Sequence, residues 1–375
     1  MSKDVYISQM NCVTPLGFSV DENIENILQG KSGIQKHENS WMPNAYFAAV
    51  VDESKLDSAF SEISPIATYT KLEKMMILAL HPVVSESNSN LGERTAFLLS
   101  TTKGNITALE SNNIEKAQLH ELSQTIADFF GFKSQPIVIS NACVSGVLAV
   151  SVAKRMIQSS MCDEAFVVAG DLVSEFVLSG FNSFQAMSDQ PCKPYSANRT
   201  GVTLGEAAAA VLVTSNETLA KAKILGDGSM NDANHISGPS RTGEGLFLSV
   251  ESAMNEAGIP YESIDYISAH GTATPFNDEM EAIAFNRHGL QNVPINSLKG
   301  YYGHTLGASG LLETVIGIEA MSRNKLLASA GFDEIGVSQP INVIEENQEK
   351  EMRYFLKTAS GFGGCNTAVV FGKVI

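Results

Sequence analysis

Four stretches of the chain carry residue types able to do chemistry, and each runs on directly from a β-like segment. They are Ile137-Val-Ile-Ser-Asn-Ala-Cys143, Tyr266-Ile-Ser-Ala-His270, Ile295-Asn-Ser-Leu-Lys299 with His304 beyond it, and Phe355-Leu-Lys-Thr-Ala-Ser-Gly-Phe362. Cys143 precedes an apolar-periodic helix through Val147, Leu148, Val150, Met156 and Ile157. A thiol there sits at the positive end of a helix dipole beside unpaired N–H groups, which favours the thiolate and so a nucleophile. Alone, a cysteine beside an apolar helix is more often an inert small residue of the core.

Glycines and threonines crowd both His270 and His304. That is poor material for a packed core and good material for bringing backbone close to a ligand. The turn Gly361-Phe362-Gly363-Gly364 can present a backbone N–H to an oxyanion, though taken alone it equally suits a plain turn between strands. A thiolate, two imidazoles and an oxyanion donor together describe acyl transfer. Zinc would accept the same thiolate and imidazoles, but none of them lies on a short ligand motif such as HExxH or CxxC, so no metal site is expected.

These residues are far apart in sequence, so the fold must gather them. Short β-branched runs alternate with longer helical patterns, the signature of parallel strands joined by crossover helices. Strands are predicted at Val5 to Gln9, Thr95 to Ser100, Pro136 to Ser140, Phe166 to Ala169, Ala209 to Val213, Ile264 to Ser268, Val293 to Asn296, Arg353 to Lys357 and Thr367 to Phe371. Helices are predicted at Val20 to Leu28, Tyr69 to Leu80, Leu119 to Phe130, Gly146 to Gln158, Gly245 to Ala257, Asn277 to Asn286 and Ala308 to Asn324. Ser188 to Thr203, rich in Asp, Pro, Ser and Asn, reads as an ordered surface loop. In an open parallel sheet the ligand site lies at the carboxyl ends of strands, which is where all four stretches sit.

The chain of 375 residues has 25 Lys and Arg against 41 Asp and Glu, a net charge of −16, with the acidity spread along its length. No basic run is present, so nucleic acid and anionic membrane surfaces are excluded as partners. Five cysteines without a CxxC pair suggest neither a disulfide framework nor a zinc knuckle. The N-terminus lacks a signal-peptide pattern and no apolar run is long enough to span a bilayer, so a cytoplasmic location is expected.

The motifs Asn-Ala-Cys143-x-x-Gly, His270-Gly-Thr-x-Thr-Pro-x-x-Asp278-x-x-Glu281, Lys299-x-x-x-Gly-His304-x-x-Gly-Ala-x-x-Gly-x-x-Glu313 and Gly-Phe362-Gly-Gly-x-Asn366 occur in this order. With Lys193-Pro-Tyr-Ser-Ala-Asn-Arg199-Thr-Gly-Val-Thr-Leu-Gly205-Glu206, they resemble the signature set of the β-ketoacyl-acyl carrier protein synthases, the elongating Cys-His-His condensing enzymes of the thiolase superfamily. The resemblance implies an α/β, thiolase-like five-layered αβαβα fold of two similar halves. Residues 1–215 would carry the nucleophilic cysteine and 216–375 the two histidines.

The same resemblance implies a reaction: decarboxylative Claisen condensation of an acyl group, held on Cys143, with malonyl-acyl carrier protein, in fatty-acid or type II polyene or polyketide synthesis. Cys143, His270, His304 and Lys299 would be catalytic, with Cys143 and Phe362 N–H groups as oxyanion donors and Phe362 also as a gate. Glu313 would pair with Lys299, Asp278 and Glu281 would be supporting residues, and Thr272 and Thr274 would bind the pantetheine arm. No cofactor is implied beyond the phosphopantetheine that carries the substrates. The partner would be acyl carrier protein, itself acidic, docking on Lys71, Lys74 and Arg199, and the protein would be a homodimer or a heterodimer with a related synthase subunit.

Two alternatives share the fold. A chain-length-setting partner subunit typically loses the cysteine, and a Coenzyme A-dependent thiolase or starter synthase lacks the His304 motif. Cys365 stands where the elongating family usually has threonine and reads as a neutral replacement. Ser360 stands where a second gating phenylalanine is common, Gly205-Glu-Ala-Ala-Ala replaces Gly-Glu-Gly-Ala-Gly, and the chain is shorter than typical members. Phe184, Met187 and Tyr302 are expected to line the acyl pocket.

Overall fold

A computed structural model describes residues 3–38, 44–65, 68–232 and 238–374. Eleven strands form one sheet whose order is built from two runs joined at their centre. From the junction outward, the first run is Tyr6–Val13, Ala207–Thr214, Glu164–Asp171, Thr95–Ser100 and Ile137–Ile139. The second is Ala222–Asn231, Cys365–Lys373, Tyr354–Gly361, Tyr266–Ser268, Pro294–Asn296 and the short Asn342–Val343. Each run begins with two antiparallel pairings and continues with parallel ones, so the two repeat one topology. They touch through Tyr6 opposite Lys223 and Ile7 opposite Ala222.

Three apolar clusters define the layers. Helices Lys71–Ser87 and Leu119–Phe130 cover the outer face of the first run, through residues such as Met76, Leu80, Leu122 and Ile126. Helices Glu244–Ala257 and Pro275–Arg287 cover the second, through Leu246, Val250, Met280 and Phe285. Between the runs lie Ser145–Gln158 and Ser309–Ser322. The latter has no polar stripe, because Leu311 to Ile318 is buried all round, as a helix enclosed on every side must be. The two central helices cross at paired glycines: a Cβ on Gly146 would lie 2.7 Å from Leu311 N, and one on Gly310 2.7 Å from Val147 N.

The strands and helices that hold the predicted site residues are present, and three differences are instructive. Ala222–Asn231 is a strand that carries too many glycines to read as one. Those glycines are needed, since a Cβ on Gly226 or Gly228 would lie 2.2 Å from Ala253 O or 2.1 Å from Ser249 O on the covering helix. The helix predicted at Tyr69 to Leu80 begins in a Thr70/Glu73 capping box and continues through Pro82 to Ser87. The stretch Ser188 to Thr203 is only partly at the surface: Asp189, Gln190, Pro191, Ala197, Asn198 and Thr200 are exposed, but Cys192, Tyr195, Ser196 and Thr203 are buried, with Tyr195 in the left-handed region at φ 66°.

Candidate active site

Cys143 sits on a tight turn between the strand Ile137–Ile139 and the helix Ser145–Gln158. Ser145 Oγ staples the turn, accepting from Asn141 N at 2.7 Å and donating to Ala142 O at 2.6 Å. Ala142 takes φ 45°, which costs a residue with a Cβ about 1 kcal/mol and aims the next side chain out of the helix line. Gly361 makes room for this elbow, since its Cβ would lie 3.0 Å from Cys143 N.

The thiol meets a histidine from the other run of the sheet, with Cys143 Sγ 3.0 Å from His304 Nε2. His304 is fixed at both ends. Its backbone N–H donates to Thr203 O at 2.6 Å, its carbonyl accepts from Gly205 N at 3.0 Å, and Nδ1 lies 3.0 Å from Ser309 Oγ. His270 stands edge-on to it, with ring centroids 5.2 Å apart and planes at 86°. Glu281 holds the His270 loop by accepting from His270 N at 2.8 Å and Gly271 N at 2.7 Å. Asp278 accepts from Thr272 N at 2.9 Å and Tyr195 N at 2.8 Å, and Thr272 and Thr274 hydroxyls pair at 2.8 Å.

Behind the histidines lies a buried charge cluster. Lys299 Nζ is 3.3 Å from His270 Nδ1 and 2.8 Å from Glu313 Oε1. The other oxygen of Glu313 accepts from Lys357 Nζ at 2.6 Å. Lys357 was not picked out from the sequence, although a lysine inside a strand of otherwise apolar and small residues is a usable signal, because buried ammonium groups occur only where paired.

Burial dominates the protonation states. It pushes the Cys143 thiol up to about 12, with Cys365 adding to the effect and Lys299 and the Phe362 backbone N–H opposing it. It holds both imidazoles well below their ordinary value, helped by the Lys299 ammonium. The resting pair is therefore a neutral thiol beside a neutral imidazole. The thiolate expected from the helix terminus is opposed by this desolvation, and His304 Nε2 at 3.0 Å is in place to take the thiol proton. One donor atom each from Cys143, His270 and His304 lie within 4.8 Å of one another, the right types for zinc. The Lys299 ammonium at His270 Nδ1 disfavours a second cation in that place.

A cavity of about 410 Å³ opens onto these atoms, lined also by Thr272, Thr274, Phe181, Phe184 and Phe362. Phe362 stacks on Phe181 at 5.6 Å and meets Phe184 edge-on at 5.5 Å. Ser360 Oγ donates to Asn366 Oδ1 at 2.7 Å. The Cys365 thiol is directed at Asn141 O and Phe362 O, behind the turn. Of the residues expected to line the acyl pocket, Phe184 does so. Met187 instead packs on a small satellite cluster with Val202, and Tyr302 is in the core with its hydroxyl donating to Asn23 Oδ1 at 3.0 Å.

Comparison with known proteins matches residues 2–218 to the N-terminal domain of β-ketoacyl synthases and residues 221–333 to their C-terminal domain. The chain belongs to the β-ketoacyl synthase family. It is 28% identical to 3-oxoacyl-[acyl-carrier-protein] synthase 2 of Coxiella burnetii, over 99% of this chain and 98% of that one. The counterpart from Staphylococcus aureus strain COL is 24% identical over 99% of both. Among solved structures, a chain of the ketosynthase–chain length factor complex from Xenorhabdus doucetiae is 26% identical, with a TM-score of 0.88 over 99% of this chain and 98% of that one. The chain is thus an acyl-transferring condensing enzyme with the thiolase-like fold.

The cations expected on the surface of this synthase are directed elsewhere. Lys71 Nζ pairs with the buried Glu206 at 2.6 Å, and Lys74 with Asp57 at 2.6 Å. The Arg199 side chain is 7% exposed, donating from Nη1 to Ser196 O at 2.9 Å and Gly336 O at 2.6 Å and from Nη2 to Pro275 O at 3.2 Å. It ties the loops at Ser196, Gly336 and Pro275 together. Among the described residues, no helix is long and apolar enough to cross a membrane.

Proposed function

We propose that this synthase extends acyl chains carried on acyl carrier protein by two carbons, with Cys143 as nucleophile, His304 as its proton acceptor and His270 as the hydrogen-bond donor to the enolate. The contact that supports this most directly is Cys143 Sγ to His304 Nε2 at 3.0 Å. In the first half-reaction the thiol proton moves to His304 Nε2 as sulfur attacks the thioester carbonyl. The carbonyl oxygen becomes an oxyanion held by the Cys143 and Phe362 N–H groups, the carbon–sulfur bond to the pantetheine breaks, and the departing thiolate takes the proton from His304.

In the second half-reaction malonyl thioester loses carbon dioxide, and the electron pair left behind forms an enolate. Its carbon attacks the acyl group on Cys143, a carbon–carbon bond forms as the carbon–sulfur bond to Cys143 breaks, and the cysteine leaves as a thiolate that a proton from solvent, passed through His304, returns to the thiol. A lysine ammonium can only donate, so Lys299 at 3.3 Å makes His270 Nδ1 an acceptor and leaves the proton on Nε2, able to donate to the enolate oxygen. Thr272 and Thr274 line the path of the pantetheine arm, and Phe362, stacked on Phe181 and edge-on to Phe184, gates the acyl side. The substrates bring their own phosphopantetheine, and no further cofactor or metal takes part.

The protein works in the cytoplasm as a dimer, of two copies or with a related synthase subunit like the pair in the Xenorhabdus complex. The strand Ile137–Ile139, at the outer edge of the sheet with half-buried side chains, supports a partner there. Retention of Cys143, His270 and His304 favours the catalytic over the chain-length-setting role. Carbon dioxide release from malonyl-carrier protein tests the assignment of His270. His270→Ala is expected to lower it about 10²-fold or more while acyl loading of Cys143 persists; unchanged release removes the role.

A further inference from the structure

The lip of the active-site cavity is apolar where attractive charge was expected. Phe276 at the start of Pro275–Arg287 is 76% exposed, and Phe184 at the end of Glu175–Ser183 is 55% exposed. Both also line the cavity that holds Cys143, so they flank its mouth. Ile335, 43% exposed, lies beside Gly336, and Arg199 binds Gly336 O and Pro275 O with one guanidinium, which brings together the two segments that carry Ile335 and Phe276. A single exposed apolar side chain needs no explanation, but a cluster at the mouth of a catalytic cavity marks an interaction site.

The cations near this surface are largely neutralised. Arg199 is turned inward and Lys193 pairs with Asp333 at 2.9 Å. Arg241, exposed two residues beyond the lining residue Pro239, has no acid partner among the described residues. With a net charge of −16 the chain gains nothing from long-range attraction to an acidic partner, so contact-range forces must hold the complex.

We infer that Phe276, Phe184 and Ile335 form the docking surface for acyl carrier protein, and that apolar contact with a strip beside its pantetheine attachment site, not ion pairing, supplies most of the affinity. The occupant follows from continuity, because the arm that enters the cavity must come from a protein seated on its lip. This rests on the carrier-dependent reading above.

The test compares kcat/KM for malonyl-carrier protein with that for a malonyl-pantetheine thioester lacking the carrier, in wild type, Phe276→Ser, Ile335→Ser and Arg241→Ala. For wild type, the carrier value is expected to change less than about threefold between about 0.05 and about 0.5 M salt. The carrier-to-free ratio is expected to fall about tenfold in Phe276→Ser, less in Ile335→Ser, and no more than about twofold in Arg241→Ala, with melting temperatures unchanged. A steep loss of carrier turnover with salt, or a ratio unaltered by Phe276→Ser, overturns the apolar docking surface. If wild type instead turns over the free thioester and gains nothing from the carrier, the carrier-dependent reading itself fails.

Discussion

The two runs of the sheet share a topology and differ in what they place at their strand ends. In the first, the loop after Ile137–Ile139 is a turn of a few residues that aims one thiol. In the second, the equivalent strand Pro294–Asn296 is followed by a longer segment that inserts Lys299 and His304 before the central helix begins. Strand Glu164–Asp171 is apolar beside Ser100, with Ala169 opposite it, whereas Lys357 lies opposite Ser268 in the matching pair. The first run is thus a scaffold with one reactive atom, and the second holds the proton-handling and charged groups. In the proposed mechanism catalysis needs both, since the thiol of one and the imidazole of the other meet at 3.0 Å.

The contrast can be broken most severely at the point where the runs meet. His304→Ala removes the proton acceptor and is expected to slow acyl loading of Cys143 by about 10²- to 10⁴-fold in single-turnover kinetics. Next comes the charge cluster of the second run. Glu313→Gln leaves Lys299 and Lys357 buried without their shared anion and should destabilise the protein by about 3–5 kcal/mol in denaturant titration. The hub of the first run should be milder. Asp171 accepts from Thr101 Oγ1 and from the N–H groups of Thr102, Lys103 and Gly307, and burial pushes its carboxyl up. Asp171→Asn keeps most of these bonds and should lose about 1–3 kcal/mol; a loss equal to that of Glu313→Gln would erase the distinction.

The smallest effect concerns the resting thiol. A group raised to about 12 is protonated throughout the neutral range, so alkylation of Cys143 by iodoacetamide should keep rising with pH beyond pH 9. A plateau below pH 8 would show a preformed thiolate and a helix dipole stronger than the burial opposing it.

Much of this site is legible in the order of residues, because strand ends, glycine turns and reactive side chains are local features. Cys143, His270 and His304 stand out when taken together by type and setting, and the structure brings one donor atom of each within 4.8 Å of the others. What stays hidden depends on where side chains turn after folding. Lys71, Lys74 and Arg199 look like free surface cations until Glu206, Asp57 and the carbonyls of Ser196 and Gly336 are seen beside them. Ala222–Asn231 escapes because its glycines serve a helix that packs on it from later in the chain. The rest of the fold follows patterns of burial that repeat over many residues and so survive local exceptions.

The account stands or falls on the atom that takes the acyl group. Intact-protein mass after incubation with an acyl-carrier protein thioester measures it directly. Wild type should gain the mass of one acyl group per chain and Cys143→Ala none; an adduct that survives Cys143→Ala would contradict the meeting of the two runs as the reaction centre.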